Sequence, residues 1–333
     1  MAVGSRRISI VVLLVASLVA AACSSGTVPG GAQSAIPTTG VRLDRVFVVV
    51  LENTSAADAL GNHGFAQLAR SGSLLRQYFG VAHNSLPNYL AMTSGVQPTS
   101  TTRADCPTFD CQVTARNLTQ QLDQAHVTWK GYFGGTFQPC STPQPGDEDT
   151  LVNGYVMHHN PFAYYPSVGA GPNGGNTYCQ DHMRPLAELG ADAGSGSMPR
   201  FALVSTDSCE DGHDVPCQDG RPGGMATAVP WLQRTVTAIT SSKSWTRRSL
   251  LVVTFDEAST ADTGGCCGGP SPGGGRVATV LLSGLVTPGT TSDRSYNHYS
   301  LLRTIEDGFG IGEHLGAAAD PKVQPIADVF GSQ

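Results

Sequence analysis

The chain has 333 residues with 20 Lys and Arg against 26 Asp and Glu, a formal net charge of −6 that becomes more acidic if Arg6 and Arg7 belong to a cleaved leader. An acidic chain with no basic stripe repels a polyphosphate backbone, which excludes nucleic acid as a partner and requires any substrate phosphate to be recruited by a local site. The length suffices for one large α/β domain with a full core.

Arg6 and Arg7 precede an apolar run over 8–22 that is too short to span a bilayer, so residues 1–22 read as a secretory signal peptide. Ala21-Ala22-Cys23 fits a bacterial lipobox, with Cys23 as the acylated first residue of an exported protein. Its expected location is the outer side of the cell membrane, or the medium if it is secreted. Residues 23–40 are a Gly-, Ser-, Thr- and Pro-rich tether, and 41–333 form the domain. The other cysteines are even in number, which in an exported chain reads as disulfides. Short spacing favours Cys106 with Cys111 and Cys209 with Cys217, leaving Cys140 with Cys179. The adjacent Cys266 and Cys267 form either a vicinal disulfide or a clamp to other segments.

The first regular element is a Val/Phe run over 45–51, the pattern of a buried parallel strand. Similar runs follow at 201–205, 250–255 and 277–282, separated by helical patterns at 56–71, 87–93, 118–125 and 226–240. Strands alternating with helices predict an α/β fold with a mostly parallel, doubly wound sheet. Residues 134–200, rich in Gly, Pro, Asn and Tyr, are expected to form loops or a small cap over the sheet, and 264–275 a flexible Gly/Pro loop.

Ligands in such sheets bind beyond the carboxyl ends of the strands. Glu52-Asn53 follows the first strand run, Asp256-Glu257 follows the third, and an acidic stretch over 207–214 follows the second. If these strands are neighbours, their carboxylates repel one another unless a divalent cation joins them. Ser85-Leu86-Pro87-Asn88-Tyr89 puts a hydroxyl at a helix start, where N–H groups and the helix dipole favour an anion and the Asn88 amide adds a donor. The same residues also suit a simple helix cap. Asp211 and His213, in a loop flanked by Cys209 and Cys217, can point at one centre. His298 opens a helix over 299–309 that Gly310 ends. His83 stands two residues before Ser85 and could donate to a leaving group, and His159 precedes Asn160-Pro161 and could line a phosphate pocket; each could equally be a packed or surface residue.

Taken in order, Leu51-Glu52-Asn53-Thr54-Ser55, His83-Asn84-Ser85-Leu86-Pro87-Asn88-Tyr89, Asp211-Gly212-His213-Asp214, Val253-Thr254-Phe255-Asp256-Glu257 and Asn297-His298-Tyr299-Ser300 resemble the bacterial phosphoesterase family. That family contains secreted acid phosphatases, some acting on phosphoinositides, and phospholipases C. It is similar to the alkaline phosphatase superfamily, which implies an α/β/α sandwich with helices on both faces and a hydroxyl nucleophile held against a metal. The resemblance implies Ser85 as nucleophile and metal ligand, with Glu52, Asn53, Asp256 and Glu257 as further ligands. Asp211, His213 and His298 match positions that hold either a second metal or the substrate phosphate, and His159 matches a pocket histidine. Asn88 would stabilise the phosphate oxygens, and one of His83, His213 and His298 would protonate the leaving oxygen. The implied reaction is hydrolysis of a small phosphomonoester or phosphoinositide-like substrate with a divalent cofactor: Mg, Ca or Mn for the oxygen ligands, Zn if histidines join. The alternatives are a phosphodiesterase or phospholipase C on lipids, or a non-catalytic surface lipoprotein. Tyr89 stands where sulfatases carry an arginine, which disfavours sulfate esters.

Overall fold

β1 (Arg45–Leu51) is a run of β-branched and aromatic residues buried along its length, as a strand between parallel neighbours and under helices must be. The computed structural model describes residues 40–135, 138–144, 151–152 and 154–331 together with Met1, so the expected leader and nearly all of the expected tether, Cys23 included, lie outside the described residues. After β1 come α1 (Ala56–Gly61), α2 (His63–Ser71), β2 (Ser73–Phe79), α3 (Ser85–Ser94), α4 (Leu118–Gln124) and β3 (Trp129–Phe133). The middle holds β4 (Leu151–Val152), β5 (Tyr155–Val156), α5 (Thr177–His182), β6 (Met183–Pro185) and α6 (Glu188–Ser195). Then follow β7 (Phe201–Ser205), α7 (Gly224–Thr240), β8 (Ser249–Phe255), β9 (Arg276–Ser283), β10 (Thr291–Asn297) and α8 (His298–Phe309).

Eight strands form one sheet in the order β10-β2-β9-β8-β1-β7-β3-β6, while β4 and β5 pair apart as a hairpin. Only β9 runs against its neighbours, β2 and β8; every other pairing in the large sheet is parallel. This is the mostly parallel, helix-flanked α/β/α sandwich that the sequence predicts.

The differences have local causes. The helix expected over 56–71 breaks at Asn62, whose extended backbone and Oδ1, accepting from the Gly64 and Phe65 N–H groups at 3.0 and 3.3 Å, restart it as α2. The 134–200 segment is not all loop, since β6 joins the edge of the large sheet and α6 follows. At the exit of β2 a Cβ on Gly80 would lie 2.9 Å from the Asp256 carbonyl oxygen, so glycine lets this crossing run against the end of β8 on its way to α3.

Candidate active site

β1 and β8 pair in register with Leu51 opposite Phe255, so the first residues beyond them, Glu52 and Asp256, emerge side by side; the Asp256 N–H donates to the Leu51 carbonyl at 3.0 Å. On the other flank of β1 lies β7, and the loop beyond it returns so that the Asp211 carbonyl accepts the Glu52 N–H at 2.9 Å. A disulfide between Cys209 and Cys217 closes this loop; Cys106 with Cys111, Cys140 with Cys179, and the vicinal Cys266 with Cys267 form the other three bridges. Residues from these strand ends, the start of α3 and the turn at Met157–His159 line a cleft of about 410 Å³.

Ser85 Oγ donates to Glu52 Oε1 at 2.9 Å. Glu52 Oε2 lies 2.8 Å from His159 Nε2, but the two are not aligned for a hydrogen bond, and neither atom has another partner among the described residues. Asp256 Oδ1 accepts from the Asn53 and Glu257 N–H groups at 3.0 and 2.7 Å, whereas Oδ2 has no hydrogen-bond partner among the described residues. Buried, unsatisfied charged groups are costly. Burial is the main cause that raises Glu52 to about 7 and pushes Asp256 and Asp211 well above the carboxylate range, the neighbouring Glu52 charge adding to the latter two. Burial likewise lowers His159 to about 4, which leaves its ring neutral with a lone pair to give.

Ligand-type atoms of Glu52, His159 and Asp256 all lie within 4.8 Å of one another. Two carboxylates and a neutral imidazole, four of whose atoms lack hydrogen-bond partners among the described residues, suit a divalent cation, which relieves the repulsion and fills the missing coordination at once. These residues form a candidate divalent-metal site. Cys209, Cys217 and Asp219 also cluster, but both sulfurs are consumed in a disulfide.

Asn53, Ser85, Asp211, His213 and Glu257 line the same cleft. Three other sequence expectations do not hold in the geometry. Asn88 is fully buried beneath the turn before α3, where Oδ1 accepts from the Val81 and Ala82 N–H groups at 2.7 and 3.3 Å and Nδ2 donates to the Ala82 and Asn84 carbonyls at 2.9 and 3.0 Å. With both amide hydrogens committed to backbone, it braces the turn instead of meeting phosphate. His298 is buried below the metal-type atoms, with Nδ1 3.1 Å from the Tyr78 hydroxyl and Nε2 2.5 Å from the Asp256 carbonyl, so no lone pair reaches a cation. His83 spends Nδ1 on Glu257 Oε2 at 2.5 Å and Nε2 on the Asp262 carbonyl at 2.7 Å, which turns it away from a leaving group and gives Glu257 a partner other than the metal. Burial, reinforced by Asp256 and Glu52, raises Glu257 to about 10.

Asp105 carried no signal in the sequence, being one acid in an aperiodic loop. Its Oδ1 accepts the Leu86 N–H at 2.9 Å and its Oδ2 the Asn84 side-chain amide at 3.0 Å, so a carboxylate already holds one of the α3 donors expected to meet phosphate. Asn53, Asn84 and Asp105 all have positive φ, 48°, 71° and 48°, and all line the cleft. Left-handed non-glycine residues cost roughly 1 kcal/mol each, and their concentration here marks a constrained site. Tyr89 stacks under the His159 ring, centroids 5.0 Å apart at 20°, and so aims that imidazole.

The phosphoesterase family matches residues 62–312 of the chain. An acid phosphatase of Aspergillus fumigatus is 26% identical over 284 residues, covering 82% of this chain but only 56% of its own length, so the chain spans just over half of that relative. A phosphatidylinositol-3-phosphatase of Mycobacterium tuberculosis is 28% identical over 329 residues, covering 98% of this chain and 94% of the relative. Among solved structures, an alkaline phosphatase superfamily protein from Vibrio parahaemolyticus superposes with a TM-score of 0.56 at 14% identity, over 87% of this chain and 71% of that one, a likeness of fold. With strand-end carboxylates gathered into a metal-type site and the family matched over most of the chain, the chain belongs to the phosphoesterase family of hydrolases, on an alkaline-phosphatase-like fold.

Proposed function

We propose that this protein is an exported acid phosphatase that cleaves small phosphomonoesters, phosphoinositide-like ones included, through a phosphoserine on Ser85. The observation that carries the reading is the 2.9 Å hydrogen bond from Ser85 Oγ to Glu52 Oε1, at the edge of the metal-type cluster and open to the cleft. The names of the fungal and mycobacterial relatives support a monoester substrate.

Glu52, His159 and Asp256 would hold the cation. When bound it would supply the positive charge that a cleft lined by no lysine or arginine among the described residues lacks, and would favour the ionised Ser85 hydroxyl. Ser85 sits at the first turn of α3 with its proton directed at Glu52, so Oγ is oriented for attack on phosphorus. The Oγ–P bond forms as the ester P–O bond breaks, and the leaving oxygen takes a proton. Of the three histidines considered for that step, only His213 faces the cleft, at a rim position where its side chain is 55% exposed. Water then attacks the phosphoserine, releasing phosphate and returning a hydrogen to Ser85.

Purified protein reconstituted with Mg2+, Mn2+ or Zn2+ is expected to turn over p-nitrophenyl phosphate faster than bis(p-nitrophenyl) phosphate or phosphatidylcholine; the opposite ranking would make it a diesterase or phospholipase C. His213→Ala is expected to slow alkyl phosphates by roughly 100-fold while sparing aryl phosphates, whose leaving groups need no proton. Equal losses on both classes would remove His213 from the acid role.

Four disulfides support an oxidising compartment. The lipobox supports an anchor at Cys23. In a bacterial host with lipoprotein processing, Cys23→Ser is expected to shift the protein from the membrane fraction to the soluble exported fraction. Unchanged partition would discard the anchor.

A further inference from the structure

We propose that His298 is a positioning residue that seats the Asp256 carboxylate for divalent-metal binding by donating its Nε2–H to the Asp256 carbonyl. The inference rests on the metal site argued above. A carbonyl oxygen only accepts, so the 2.5 Å contact puts the ring hydrogen on Nε2. His298 is fully buried with no carboxylate on either nitrogen, which keeps the ring neutral and leaves Nδ1 a lone pair; the Tyr78 hydroxyl, 3.1 Å away, must therefore donate to it. The two bonds run in one direction, from Tyr78 through the imidazole to Asp256, and each polarises the next.

This bond completes the immobilisation of Asp256. Its N–H is held by Leu51, its carbonyl by His298, and its Oδ1 by the Asn53 and Glu257 N–H groups, so that among the described residues Oδ2 alone of its polar atoms remains unpartnered. His298 is itself placed from behind. Asn297 caps α8, accepting from the Tyr299 and Ser300 N–H groups at 3.1 and 3.2 Å, and its Nδ2 donates to the Cys266 carbonyl at 3.0 Å. The ring thus fixes the direction of a ligand without touching the cation.

The test is Mn2+ affinity, read by electron paramagnetic resonance of free Mn2+, on the wild-type protein and on His298→Gln, His298→Asn and Tyr78→Phe, with circular dichroism and thermal melts confirming the fold. Glutamine carries an N–H to the place of Nε2, whereas asparagine falls short. His298→Asn is expected to weaken Mn2+ binding by about 10-fold or more, the usual effect of losing an outer partner of a metal site. His298→Gln should retain most of the affinity and Tyr78→Phe fall between them, and for each variant saturating Mn2+ should restore most of kcat. A purely structural role would lower melting temperatures without separating glutamine from asparagine in Mn2+ affinity. Equal affinity in the two His298 variants overturns the proposal; if the asparagine variant does not fold, a Tyr78→Phe protein with wild-type affinity does so. Absence of Mn2+ binding by the wild-type protein would instead remove the metal site and this proposal with it.

Discussion

Ser85→Ala is expected to lower phosphomonoester turnover by roughly 10⁴-fold or more, the scale seen when a nucleophile that acts with its neighbours as a unit is lost. The variant should fold. The Ser85 hydroxyl makes one hydrogen bond, to Glu52 Oε1, and losing such a bond costs only about 1 kcal/mol, while the turn beneath it is held by Asn88 and Asp105 through contacts the substitution leaves intact. Acid-quenched wild-type protein given substrate should carry phosphate on Ser85, detectable by mass spectrometry of the peptide, and the alanine variant should carry none. A variant that keeps a near-wild-type rate, or a label found on another residue, would sink the phosphoserine route. Full loss of activity with melting behaviour like the wild type is the supporting result.

Chelation is expected to destabilise the protein more at neutral than at acidic pH. In the metal-free protein burial raises Glu52 to about 7 from its ordinary 4.5, so between those values the folded state keeps a proton that the unfolded chain has released. Stability therefore falls as pH rises through this window. Asp256, Asp211 and Glu257 are raised in the same sense, Glu257 to about 10, which extends the loss above neutrality. Metal binding needs the carboxylates ionised, so its stabilisation grows where the metal-free form weakens. The gap in melting temperature between metal-loaded and chelated protein should widen from pH 5 to pH 7.5, a change on the order of a few kcal/mol. A gap that stays constant or narrows over that range would mean Glu52 and Asp256 do not hold the cation.

Both expectations depend on residues that were legible to different degrees. β1, β7, β8 and β9 are legible because strands buried on both faces carry continuous apolar runs, and the abrupt return of polarity marks where each ends. β2 and β10 escape the same reading. They lie toward one edge of the sheet, β2 alternates buried with half-exposed positions, and Thr291–Asn297 is mostly polar, so neither presents such a run. α3 is predicted too short because its first turn is Ser-Leu-Pro-Asn, read as the approach to a helix, whereas Ser85 is already inside it. Asp105 could not be found from sequence, since its importance comes from two hydrogen bonds to residues about twenty positions earlier.

The histidines divide most clearly. Sequence placed His83, His159, His213 and His298 near the same chemistry, yet the fold sends them to four different tasks. His159 turns inward over Tyr89 to meet Glu52, and His213 stays at the rim. His83 ties down Glu257, while His298 lies underneath Asp256. An imidazole has two nitrogens on opposite sides of a small ring, and which side meets which partner is set by packing from distant segments, not by its neighbours in the chain.

What sequence alone determined here is the class of fold, from buried strands written as apolar runs, together with the places where acids follow those strands and a serine opens a helix. What only the tertiary structure decided is who faces whom. The pairing of β1 with β8 sets Glu52 against Asp256 across some two hundred residues of chain, and the burial that follows shifts their ionisation and leaves their oxygens open to a cation. Local patterns record whether a position is buried, because burial selects residue type. They do not record the direction of a side chain, because direction depends on which segments the sheet order brings together.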